Sequence, residues 1–296
     1  TAQHSPVKSL NFSALLVKDA ICDRFRHKSG VRPNVETRWP DARVYVHLNA
    51  THQTLYIDTS GEALFKRGWR TDKGDAPLKE TLAAAMIVAS GWDGQSPLYD
   101  PCCGSGTIAI EAAQIACNIA PGCQRRFGFE KLLPYQAHVW SAIKSEAKAA
   151  EHKAEAPIFG SDVAHRMVDF AMRNAERAGV ADVVQLRGGD ALQRLPPCDQ
   201  PGILLLNPPY GERMESYEID RLYKQIGTAF KEHFTDYTCG IISSNMEALK
   251  IIGLKPLKKY PLINGKLDCV FNLYEMYEGS RRKPKSSDGL DENDIN

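Results

Sequence analysis

Leu98-Tyr-Asp-Pro-Cys-Cys-Gly-Ser-Gly-Thr107 is the stretch that decides the fold of this chain. A short apolar run ends in an acid, a Gly-rich turn follows, and a helical pattern runs from Thr107 to Asn118. The same order recurs downstream. Pro157-Ile-Phe159 leads to Asp162 and a helical run from Ala164 to Ala178, Val183-Val-Gln-Leu186 leads to Asp190, and Ile203-Leu-Leu-Leu206 leads to Asn207-Pro-Pro-Tyr210. A helical run from Asp220 to Phe234 and a strand from Thr238 to Ile242 come next, then two extended runs near Lys255 to Leu262 and Cys269 to Met276. Short apolar strands alternating with helices predict an α/β domain with a mostly parallel sheet covered on both faces. The last two runs have no helix between them and predict an antiparallel hairpin at the sheet edge.

Upstream, apolar residues at Leu15, Leu16, Ala20 and Ile21 mark a helix from Leu10 to Phe25, closed by Ser29-Gly30. Arg43 to Leu48 and Gln53 to Asp58 alternate as the strands of a hairpin. The segment from Asp75 opens a helical run through Ala89, with Pro77 suited to its first turn. A length of 296 residues fits two such units, a small α+β piece over 1–65 and a larger domain over 66–278. The polar stretch 279–296 has almost no apolar residue and reads as a disordered tail or linker. Residues 121–155, with Arg125, Arg126 and Trp140, read as a substrate-facing insertion.

No apolar run approaches the ~20 residues of a membrane span. The eight cysteines show no C-x-x-C pair and no zinc-like spacing, which predicts free thiols, no metal site and a reducing, cytoplasmic location. The start, Thr1-Ala-Gln-His4, reads as a cut boundary rather than a targeting signal. Net charge is +1, but residues 1–73 hold twelve Lys and Arg against seven Asp and Glu. The densest part, Arg24, Arg26, Lys28 and Arg32, suits phosphate contacts, although an ordinary solvated helix face has the same composition.

In an open α/β sheet, ligands bind where strands end. Gly104 and Gly106 let backbone approach a ligand, and Asp100 can hold a cation or amine. Gly104-x-Gly106-x-x-Ala109 also fits a dinucleotide fingerprint, which calls for an acidic strand tip about 20 residues on. That window is Arg125-Arg-Phe-Gly-Phe129, and the first acidic tip is Asp162. Asp162 can accept from two ribose hydroxyls and Asp190 from an adenine amino group. Each Asp alone could be a helix cap. Together, one for an amino-acid end, one for a ribose and one for an adenine, they describe S-adenosylmethionine.

Asn207-Pro-Pro-Tyr210 is the most specific signal in the chain. An aromatic amino nitrogen is a poor nucleophile because its lone pair is delocalised into the ring. If the Asn207 oxygen and the Pro208 carbonyl each accept one N–H, that lone pair is freed toward a methyl donor. Pro208 and Pro209 stiffen the turn, and Tyr210 can stack on an extruded base. Cys102 and Cys103 lie in the cofactor loop, away from where a C5-pyrimidine mechanism would need a thiol.

With these residues in hand, the chain resembles the THUMP-containing class I methyltransferases, and among them the bacterial group acting on guanine N2 of 23S ribosomal RNA. The resemblance covers most of the chain. It rests on Asp100-Pro-Cys-Cys-Gly-Ser-Gly106, on Asn207-Pro-Pro-Tyr-Gly-Glu-Arg213 and on Ala76-Pro-Leu-Lys-Glu-Thr81. It implies a Rossmann-like sheet of seven strands with an antiparallel C-terminal hairpin, preceded by a partial THUMP RNA-binding module. It also implies S-adenosyl-L-methionine as cofactor, held by Leu78, Asp100, Cys102, Gly104, Gly106, Thr107, Asp162, Asp190 and Asn207. Asn207, Pro208, Pro209 and Tyr210 are then catalytic, and Arg213 joins the residues that contact RNA. The expected substrate is ribosomal RNA, free or in an assembly intermediate, with no membrane partner. In gammaproteobacterial relatives a second methyltransferase domain follows a linker like 279–296. Adenine-N6 methylation of DNA, another RNA guanine-N2 activity such as one on tRNA, and protein-glutamine methylation are the competing readings of the tetrapeptide.

Overall fold

The computed structural model describes residues 1–74, 77–190, 195–210 and 216–279. Helix α1 (Leu10–Ser29) is capped by the Ser9 hydroxyl, and Gly30 ends it at φ +76. Strands β1 (Val44–Leu48) and β2 (Gln53–Ile57) form an antiparallel pair. After α2 (Glu80–Ser90) come β3 (Leu98–Asp100), α3 (Thr107–Ala116), α4 (Ala137–Ala149), β4 (Ile158–Asp162), α5 (His165–Ala178), β5 (Val184–Gly188) and β6 (Ile203–Leu206). Then follow α6 (Ser216–His233), β7 (Thr238–Ser243), α7 (Met246–Ile251), β8 (Lys258–Asn264) and β9 (Leu267–Glu275).

Seven strands form one sheet in the order β5-β4-β3-β6-β7-β9-β8. The first five are parallel, while β9 pairs antiparallel with both β7 and β8. The C-terminal hairpin is therefore as expected, with β8 on the edge and β9 inside. Alternation along the central strands explains the two layers. Leu98, Ile203 and Leu205 pack with α2, α3 and α5 on one face, and Tyr99, Leu204 and Leu206 pack with α6 and α7 on the other. Both faces are buried, so these strands are apolar throughout. The chain steps outward from β3 through β4 to β5, then returns to β6 on the other side of β3, so the switch point lies between β3 and β6.

Two expectations shift. Pro77 lies outside the first turn of its helix, because Lys79 is extended at ψ 139 and α2 starts at Glu80. Helix α3 stops short of Asn118, which adopts φ +53. Helix α4 and α7 had no clear signature in the sequence. The stretch beyond 279 lies outside the described residues.

Candidate active site

Asp100 is the last residue of β3, and its carboxylate accepts from the Cys102 amide at 3.3 Å. The loop is tied to β4 next door: the Cys103 amide donates to the Ser161 carbonyl and the Gly104 amide to Asp162 Oδ2, both at 2.9 Å. The two glycines of the turn differ in purpose. Gly104, at φ +53, has only the Met167 methyl at 3.9 Å from where a Cβ would stand, so its open side faces the cavity. Gly106, at φ +87, would place a Cβ 3.0 Å from Ala171 Cβ and 3.1 Å from Ile110 Cδ1. It does not line the cavity; it lets α3 sit against α5.

A cavity of about 810 Å³ opens at the switch point. Leu78, Asp100, Cys102, Gly104, Thr107, Asp162 and Asp190 line one part, and Asn207, Pro208, Pro209 and Tyr210 line the other. Its volume suits a drug-sized ligand. Asp162 also organises its own surroundings, since Oδ1 accepts from the Ala164 amide at 2.9 Å while Oδ2 holds Gly104. Thr107 is buried and its hydroxyl accepts from Arg70 at 2.8 Å.

The cofactor end of this cavity is lined by the carboxyl groups of Asp100, Asp162 and Asp190. Asp100 is 1% exposed, and burial, with the neighbouring Asp162 charge added, holds its carboxyl well above the ordinary range against a single opposing amide contact. Such a site favours a ligand carrying positive charge and disfavours a pyrophosphate. Burial, followed by the charge of Asp100, also pushes the Cys102 and Cys103 thiols up, so both are held as neutral thiols.

Five buried side-chain polar atoms lack a partner among the described residues, and only Asn207 Oδ1 belongs to a residue lining the cavity. An unsatisfied buried acceptor costs about 1–3 kcal/mol, so its retention at a cavity wall points to a donor on a ligand. Tyr210 packs against the larger core, and its hydroxyl accepts from Asn264 Nδ2 at 2.9 Å.

Sequence reasoning missed Arg70. Its guanidinium donates to Glu80 Oε1 at 2.7 Å, Ser105 Oγ at 2.6 Å and Thr107 Oγ1 at 2.8 Å, gripping α2 and both sides of Gly106 from behind. Arg67 adds a bidentate pair with Glu111 of α3 at 3.1 and 3.0 Å. An Arg preceding a helix has no local mark for such a role.

The basic residues Arg24, Arg26, Lys28 and Arg32 are exposed on and just after α1 and none lines the cavity. Arg26 pairs with Asp23 at 3.2 Å and Arg32 with Asp19 at 2.9 Å. Arg213 lies outside the described residues. In the 121–155 segment the substrate-facing expectation gives way to a structural one. Arg125 donates to the carbonyls of Ser60, Glu62 and Ala63, and Trp140 stands edge-on to Phe127 and Phe129, so the segment braces the exit of the N-terminal hairpin. None of Arg125, Arg126 and Trp140 lines the cavity.

Residues 67–272 match the RMKL-like methyltransferase domain family and residues 2–58 the THUMP domain family. The chain is 44% identical over 284 residues to the ribosomal RNA large subunit methyltransferase K/L of Shewanella pealeana, covering 94% of this chain and 40% of that protein. It thus spans about two-fifths of the length of such relatives. Among solved structures, SMU.472, described as a methyltransferase and complexed with SAH, superposes with a TM-score of 0.81 at 33% identity, covering 95% of this chain and 74% of the other. A Listeria monocytogenes protein described as a predicted N6-adenine-specific DNA methylase gives 0.79 at 31% identity, covering 93% and 71%. With the family match spanning more than two-thirds of its length, the chain belongs to the RMKL-like methyltransferase family.

Proposed function

We propose that this chain transfers a methyl group from S-adenosylmethionine to the exocyclic N2 of a guanine in 23S ribosomal RNA. The observation that carries the reading is the buried, unpartnered Oδ1 of Asn207, a residue that lines the same cavity as three carboxyl side chains. S-adenosylmethionine, when bound, supplies an activated methyl group on a sulfonium. Its positive charges suit Asp100 and its neighbours, Asp162 suits the ribose hydroxyls and Asp190 the adenine amino group. Leu78 adds an apolar wall and Gly104 an open backbone.

At the other end, Asn207 Oδ1 and the Pro208 carbonyl accept the two N–H groups of the target nitrogen, and Tyr210 stacks on the base. Holding the reacting atoms in line supplies most of the acceleration. Asn is no general base, so the proton leaves to water after transfer. The name of the Shewanella relatives supports ribosomal RNA of the large subunit as substrate. We read residues 1–65 as a partial THUMP module that contacts RNA phosphates through Arg24, Arg26, Lys28 and Arg32. Residues 66–278 we read as the methyltransferase domain of a cytoplasmic protein.

Adenine-N6 methylation of DNA is the second reading, favoured by the description of the Listeria neighbour. The test is transfer of labelled methyl groups by the full-length protein to unmodified 23S rRNA and, in parallel, to DNA and tRNA, with nucleoside analysis of the products. N2-methylguanosine in the 23S rRNA is expected. Label found as N6-methyladenine in the DNA, or as N2-methylguanosine only in the tRNA, would replace this reading.

A further inference from the structure

Tyr210 has one polar handle, and it is held by the C-terminal hairpin. Asn264 ends β8 and pairs with Leu267 across the two-residue turn Gly265-Lys266, with Gly265 at φ +69. So short a turn fixes the register, and a slip of one residue would turn Asn264 to the opposite face. Alternation along β8 sets Tyr260, Leu262 and Asn264 inward while Lys259, Pro261 and Ile263 are exposed. Tyr260 and Leu262 pack on the apolar core. Asn264, an amide at the third inward position, reaches instead into the cavity wall and donates Nδ2–H to the Tyr210 hydroxyl at 2.9 Å. The ring is thus held at its far end by β8 of the hairpin, and Leu267 lines the cavity beside it.

We infer that Asn264 is a positioning residue that fixes the Tyr210 ring as the surface receiving the target base, and that the β8–β9 tip, through Asn264 and Leu267, forms the edge of the base pocket. This rests on the reading of Tyr210 as the stacking residue. A ring that swings about its Cα–Cβ bond offers the base no fixed surface; packing on the core sets the plane of Tyr210, and the Asn264 hydrogen bond anchors its far end without touching the cofactor end.

The test compares wild type, Asn264→Ala, Tyr210→Phe and the double variant in the full-length protein, reading kcat and KM for rRNA and the equilibrium Kd for S-adenosylmethionine. Each single variant should lower kcat/KM for RNA about tenfold, the scale of one lost hydrogen bond. The double variant should be no worse than either single, and the cofactor Kd should not move. A wild-type kcat/KM in Asn264→Ala, or losses that multiply in the double variant, would overturn the inference. Should Asn264→Ala fail to fold, Tyr210→Phe reads the same contact from the other side, and wild-type activity there overturns it equally. Tyr210→Ala separates the levels. Full activity in that variant would refute the stacking reading itself, whereas an inactive Tyr210→Ala beside a normal Asn264→Ala would remove only the positioning role.

Discussion

Replacing Arg70 with Met keeps most of the aliphatic stem and deletes the guanidinium behind the cofactor loop. In the native chain that side chain is 11% exposed and its partner Glu80 is 4% exposed, so the pair is shielded from solvent on both sides. Removing one member of a buried pair costs about 3–5 kcal/mol, chiefly because the other is left without compensation. The Ser105 and Thr107 hydroxyls lose charged donors at 2.6 and 2.8 Å, and the guanidinium no longer lies over the Trp69 ring. The expected loss is therefore about 3–5 kcal/mol in urea unfolding, read as a lower midpoint at unchanged slope. Adding Glu80→Met should restore at least half of it, since an apolar replacement of both charged partners leaves no buried charge unpaired and only the Ser105 and Thr107 hydroxyls without their Arg70 donors. The reasoning fails if Arg70→Met loses less than about 1 kcal/mol, or if the two changes simply add.

Gly106→Ala should destabilise by about 2–4 kcal/mol, from positive φ and from the 3.0 Å approach to Ala171 Cβ. Gly104→Ala should cost stability only about 1–2 kcal/mol while weakening S-adenosylmethionine binding in equilibrium dialysis; equal unfolding midpoints for the two variants would contradict the distinct roles. Burial raises the Asp100 carboxyl above its ordinary 3.8, so the ligand-free fold takes up a proton there and loses stability as pH rises through the raised value. A cationic cofactor needs the carboxylate, so its affinity should rise with pH over that same window with release of up to about one proton; titration calorimetry in buffers of different ionisation enthalpy would show this, and Asp100→Asn should abolish it. Arg24→Ala with Lys28→Ala should flatten the salt dependence of RNA binding by about 1.4 in the log–log slope, and an unchanged slope would remove α1 from the RNA interface.

The strand tips were legible because each carries a chemical mark at the end of an apolar run. Asp100, Asp162, Asp190 and Asn207 all fall on one cavity, as periodicity and the switch-point rule require. What stayed hidden depends on contacts distant in sequence. Arg70 reaches Ser105 and Thr107 across 35 and 37 residues, and Asn264 reaches Tyr210 across 54, separations at which no local pattern records a partner. Gly106 was readable as a required glycine but not as a packing one, because the Ala171 it admits belongs to α5. Arg125 resembled a substrate contact by charge, yet its two terminal guanidinium nitrogens donate to backbone carbonyls of the N-terminal exit. Pro77 was misplaced for a related reason: a Pro fits a helix start and an extended wall equally well.

The most direct test of the central claim is single-turnover methyl transfer to unmodified 23S rRNA by wild type and Asn207→Ala, with cofactor Kd measured on the same preparations. If Asn207 Oδ1 receives the target N–H, the alanine variant should bind S-adenosylmethionine while transferring methyl groups about 10²–10³-fold more slowly to guanine N2. A variant that forms N2-methylguanosine at the wild-type rate would contradict the account.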